Sequence, residues 1–120
     1  MKSKKDLPEC PVATTVSLIG NKWKLLILRD VLTGPKRFGD LLKSLEGINR
    51  KVLTENLKQM EADGLLKRIA HQEKPPCVEY KLSELGEEMR PLIHEMEQWG
   101  LRYKKKLELN PQIEIQEQER

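Results

Sequence analysis

The chain has 120 residues, 38% hydrophobic and 34% charged, enough for one modest core and too polar and mixed for a membrane span or a disordered polymer. Only 4% of residues are aromatic, so the core must be aliphatic, and the net charge of +3 is unevenly placed. Residues 1–82 carry 16 Lys and Arg against 10 Asp and Glu, whereas residues 83–120 carry 6 against 9. A basic body with an acidic end fits a nucleic-acid partner, although a mixed solvated surface gives the same totals.

Residues 1–9 read as a mobile basic tail, with no apolar stretch that would make a signal peptide. A short first helix is expected from Val12 to Ile19, with Pro11 at its start and Gly20 at its end. "NKWKLLILRDVLTGP" predicts a second helix. Trp23, Ile27 and Val31 recur at spacing four, neighbouring leucines leave few polar faces, and Gly34-Pro35 stops it. "KRFGDLLKSLEGI" predicts a brief extended lead-in and a third helix from Phe38 to Ser44. Asn49 suits the N-cap of a fourth helix that reaches Ala62 or Asp63, with Gly64 beyond it.

Val78-Glu79-Tyr80-Lys81-Leu82 alternates like a half-buried strand, and Leu66 to His71 is its expected partner across "QEKPP". Ser83 can cap a last helix whose apolar positions Leu85, Met89, Leu92, Met96, Trp99 and Tyr103 form a heptad-like seam. Pro91 should kink or divide that helix. A polar tail, expected to be disordered, follows from residue 109. The fold class is therefore mainly α with a small β-hairpin.

The fourth helix carries the functional signal. With Arg50 at zero and 100° per residue, Thr54 lies at about 40°, Lys58 at about 80° and Lys51 at about 100°. Leu53, Leu57 and Met60 gather between roughly 280° and 340° on the far side. A short helix, a glycine-containing turn and a cationic second helix make a helix-turn-helix, and the following hairpin makes it winged. Such a cylinder fits a major groove ~12 Å wide. Asn49, Arg50 and Lys51 occupy the first turn, where base edges are approached, with Thr54 and Lys58 behind them. Arg can grip guanine with two parallel bonds. Arg37, Arg68 and Lys74 are the candidate phosphate contacts. The competing readings are an amphipathic surface helix with solvated lysines, and a winged adaptor that turns its basic helix toward an acidic protein.

"CPVATTVSLIGNKWKLLILRDVLTGPKRFGDL", "GINRKVLTENLKQMEADGLLKR" and "PPCVEYKLSELGEEMRPLIHEMEQWG" resemble the HxlR-type winged helix-turn-helix regulators of bacteria, of the MarR-like superfamily. The resemblance runs from Cys10 to Lys106 and places the DNA-binding and dimerisation domain at residues 10–108. It implies a homodimeric transcription factor, usually a repressor, and two fourth helices about one helical turn apart would read an inverted-repeat operator in double-stranded DNA. The two cysteines, read as reduced thiols, and the lack of an apolar leader give a cytoplasmic reading. The resemblance further implies a dimer built by the first and last helices, here through Val12, Val16, Ile19, Leu92, Met96, Trp99 and Tyr103.

Cys10 precedes the first helix, where a helix N-terminus favours a thiolate. In the resembled family a cysteine at this point often senses a small electrophile or oxidant. The other readings are a small buried apolar residue or an inherited motif without that duty. Cys77 stands where the family commonly has a basic residue; a neutral surface substitution is the expected reading, and a second redox site is the alternative. The two cysteines and the isolated His71 and His94 have no metal-site spacing, and no nucleophile elbow, phosphate loop or carboxylate pair suggests an enzyme or a cofactor.

Overall fold

The computed structural model describes residues 3–110, in which the chain divides after Arg90 into two compact units. The first unit opens with a single 3-10 turn, Lys4–Asp6, in the stretch expected as a tail. Ser3 and Asp6 hold that turn, the Ser3 hydroxyl donating to the Asp6 carboxylate at 2.6 Å. Helix α1 spans Pro11–Ile19, with Pro11 where a missing N–H does no harm. Helix α2 spans Lys22–Val31, capped by the Asn21 side chain, which accepts from the Lys24 N–H at 2.8 Å.

A two-residue strand β1, Lys36–Arg37, leads into α3, Phe38–Ser44. Helix α4 spans Arg50–Ala62, and the Asn49 carboxamide accepts from the Val52 N–H at 2.8 Å, as the N-cap reading requires. Gly64 leaves α4 at φ +82°, a left-handed conformation that an L side chain resists. Strands β2, Leu66–His71, and β3, Cys77–Leu82, pair antiparallel with Leu66 opposite Leu82 and His71 opposite Cys77.

The expected hairpin is present, and the extended lead-in to α3 joins it as a third strand. The sheet order is β1-β3-β2, because Lys36 and Arg37 pair with Tyr80 and Glu79. Two residues are too short to show alternation, so only the long-range pairing reveals this strand.

The core of the first unit is aliphatic, as composition demands. Ile27 and Leu28 of α2, Leu41 of α3, and Leu53, Leu57 and Met60 of α4 are fully buried. Trp23, which recurs at spacing four with the buried Ile27 and Val31, is itself only half-buried, with the Lys22 ammonium 4.6 Å from its ring centroid. Burying each leucine or isoleucine side chain contributes about 1.5–3 kcal/mol, so the α2–α3–α4 cluster dominates stability. The Ser83 hydroxyl ties β3 to the end of α4, donating to the Gly64 carbonyl and accepting from Gly86 N–H. It caps α5, Glu84–Glu87, as expected. Gly86 is buried, and a Cβ there would overlap the Leu65 carbonyl, so only glycine allows this approach.

The division expected at Pro91 is present: α6, Arg90–Leu109, begins there, with proline in its first turn. On α6, Leu92, Met96, Trp99 and Tyr103 are exposed, and the Trp99 and Tyr103 rings stack 5.4 Å apart. The tail read from residue 109 lies mostly outside the described residues, which end at Asn110. No helix among the described residues is long and apolar enough to cross a membrane.

Candidate nucleic-acid interface

The turn between α3 and α4 sets the site. Gly47 adopts φ +90°, and the Ile48 N–H donates to the Leu45 carbonyl at 3.1 Å, reversing the chain within three residues. Asn49 then starts α4 with its first turn at the surface. Leu53, Leu57 and Met60 anchor the opposite side. The amphipathic division read from the helical wheel is therefore realised, with Arg50, Lys51 and Lys58 exposed and Thr54 half-buried.

Arg50 is not a free cation. Its guanidinium lies over the Phe38 ring, 5.7 Å from the centroid, so the start of α3 supports the first side chain of α4. A cation over an aromatic face gains about 0.5–1 kcal/mol at exposed sites, enough to bias its direction without trapping it. Lys51, Lys58, Lys67, Arg68, Lys74 and Lys81 make no salt bridge among the described residues. Their charge is available to a partner.

The sheet spreads these cations over two faces. Side chains alternate along a strand, so Lys67 and Lys81, which are directly opposite, share one face, whereas Arg68 lies on the other. Two exposed ammonium groups facing each other across a ladder disfavour the folded state and favour a bound anion. The sequence singled out Arg68 and Lys74 on this wing. The Lys67–Lys81 pair emerges only from strand register. Lys74 is exposed in the connection between β2 and β3. Arg37 is exposed at the start of α3, and its N–H donates to Asp40 at 3.1 Å. On the Lys67 face, Glu79 accepts from His71 at 2.6 Å, which gives the isolated histidine a partner.

Asn56 belongs to the site's foundation and was not among the residues read from the sequence. It is 7% exposed, donates to the Val52 carbonyl at 2.8 Å and accepts from Asn21 Nδ2 at 3.0 Å. On the wheel used for Arg50 it falls at about 240°, beside the apolar stripe, which was the available signal.

Among the residues expected at a dimer interface, Val12 and Val16 stand outward on α1, Val12 being 72% exposed. Ile19 does not. It is 3% exposed and belongs to the core of its own chain: it lies seven residues from Val12, on nearly the same line of the helix, and other segments of the chain cover it. Cys10 is exposed at the N-cap of α1, with no hydrogen bond from its thiol to the helix, and Cys77 is half-buried on β3.

Known proteins are similar to this chain in sequence and fold. Residues 18–108 match the family described as HxlR-like helix-turn-helix. The HTH-type transcriptional regulator YdeP of Bacillus subtilis (strain 168) is 39% identical over 106 residues, covering 88% of this chain and 83% of that protein. The redox regulator HypR in its oxidised form superposes with a TM-score of 0.75 at 36% identity, over 78% of this chain and 96% of that one. Diamide-treated YodB from B. subtilis gives 0.65 at 33% identity, over 78% and 94%. An exposed cationic helix on an apolar footing, a basic wing and these likenesses converge: the chain belongs to the HxlR-like helix-turn-helix family and is a DNA-binding transcriptional regulator, not an enzyme.

Proposed function

We propose that the protein acts in the cytoplasm as a homodimeric repressor that binds an inverted-repeat operator and responds to oxidants or electrophiles through Cys10. The observation that carries the operator reading is the exposed first turn of α4, where Asn49 fixes the helix start and Arg50 and Lys51 project beside it. Arg50, Lys51, Thr54 and Lys58 contact the major groove, and Arg37, Arg68 and Lys74 hold phosphate. Two copies of α4 about one helical turn apart would read the two half-sites. The domain spans residues 10–108.

The dimer reading rests on unpaired apolar faces. Val12 and Val16 on α1, and Leu92, Met96, Trp99 and Tyr103 on α6, leave large side chains in solvent in a single copy, with Trp99 60% exposed. A second copy would bury them.

The redox reading rests on an accessible thiol at a helix N-terminus, and on the likeness to one redox regulator and to a diamide-treated protein. With diamide, one Cys10 thiolate adds to the N=N bond and a second subunit's thiol displaces the adduct. The two thiols lose two protons and two electrons, a disulfide forms, and diamide leaves as its hydrazine. Footprinting across the genome, with and without diamide, tests the proposal. Protected inverted repeats that are released by the oxidant support it, and an absence of protected sites rejects it.

A further inference from the structure

A cavity in the first unit plays no part in the DNA-facing elements. It has a volume of about 180 Å³, and its apolar wall includes Leu7, Leu18, Ile19, Leu65, Leu85 and Met89. These come from the segment before α1, from α1, from the junction of α4 and β2, and from α5 with the residues after it. Its polar lining residues are Thr15, whose hydroxyl donates to the Pro11 carbonyl of its own helix, and the acidic Asp63 and Glu88. Neither carboxylate has a hydrogen-bond or ion-pair partner among the described residues, and no Lys, Arg or His lines the cavity.

Size and charge define the occupant. An apolar cavity of roughly 150 Å³ stays dry and accepts a benzene-sized guest, whereas drug-sized ligands need ~300–1,000 Å³. One aromatic ring, or an alkyl group of similar bulk, therefore fits within it. Two carboxylates with no cation beside them repel an anionic guest and attract an ammonium. We infer that this cavity is a binding site for a small apolar amine, with its ring or alkyl body among the leucines and its ammonium beside Asp63 and Glu88.

The site adjoins the proposed dimer face without coinciding with it. On α1, Thr15 and Leu18 lie about 60° and 120° from Val12, and Ile19, about 20° from it, is buried in its own chain. Amine binding is independent of the operator reading, because it needs no DNA.

The test is calorimetric titration of the full chain with 2-phenylethylamine, alongside amide-shift mapping by NMR. The expected result is saturable binding of one amine per chain, with shifts centred on Leu18, Leu65 and Met89. The neutral 2-phenylethanol should bind more weakly, and 3-phenylpropanoate weakest. The double variant Asp63→Asn/Glu88→Gln, at one half-buried and one exposed position, should keep the fold and weaken the amine about five- to tenfold. Equal affinity for all three probes, shifts mapping elsewhere, or no saturation at millimolar amine would overturn the assignment.

Discussion

Asn21 and Asn56 are joined by a 3.0 Å hydrogen bond across 35 positions of sequence, and each amide also satisfies a helix. Asn21 caps α2 through its oxygen and gives its NH2 to Asn56, which passes its own NH2 to the Val52 carbonyl of α4. This polar link fixes the rotation of the cationic helix against α2, beside an otherwise aliphatic contact. Asn56→Ala removes both bonds from a 7% exposed site and takes the protein partner of the Asn21 NH2 away, while the Asn21 oxygen still caps α2. Urea unfolding should show a loss of about 1–3 kcal/mol. Unchanged stability would mean the link contributes nothing.

Arg50→Ala should weaken operator binding by about 1–3 kcal/mol and relax preference at one base position. Phe38→Leu removes only the ring beneath the guanidinium, so it should produce a smaller loss with the same base preference. Competition gel shifts on operator variants distinguish the two. Equal weakening of operator and random DNA by Arg50→Ala would contradict base contact.

The Lys67–Lys81 pair makes stability and affinity move in opposite directions. Lys81→Gln should raise folding stability by a few tenths of a kcal/mol to about 1 kcal/mol, because the like-charge opposition ends. The same change should weaken DNA binding and lower the salt slope by about one. Lys74→Ala should lower the slope similarly and weaken all sequences alike, with no gain in stability. Thermal melts and salt-dependent anisotropy read both quantities.

Gly86→Ala should destabilise the first unit, since the new methyl meets the backbone of Leu65 rather than a movable side chain. Overpacking of this kind typically costs about 1–3 kcal/mol. A melting temperature equal to that of the parent chain would show that α5 can shift freely.

Cys10→Ser should abolish the diamide response of operator binding while leaving affinity without oxidant unchanged. Cys77→Ser should leave the response intact, since its thiol is half-buried on β3 and less accessible than that of Cys10. A Cys10→Ser protein with the parent dose response would move sensing away from Cys10.

The sequence alone determined the helices, their caps and the two faces of α4, because these follow from short-range rules. Asn49 and Ser83 are caps by side-chain chemistry, and Arg50 and Leu53 diverge by helical geometry that any chain must obey. The heptad spacing likewise announced the exposed seam on α6. Only the tertiary structure decided what depends on distant segments. Strand β1 is two residues long and exists through pairing with Tyr80 and Glu79. Strand register placed Lys67 against Lys81, chain packing withdrew Ile19 from the surface, and Asn56 acquired meaning when Asn21 arrived beside it. Periodicity records which way a side chain points from its own element, whereas burial and partnership depend on what the rest of the chain brings to that side.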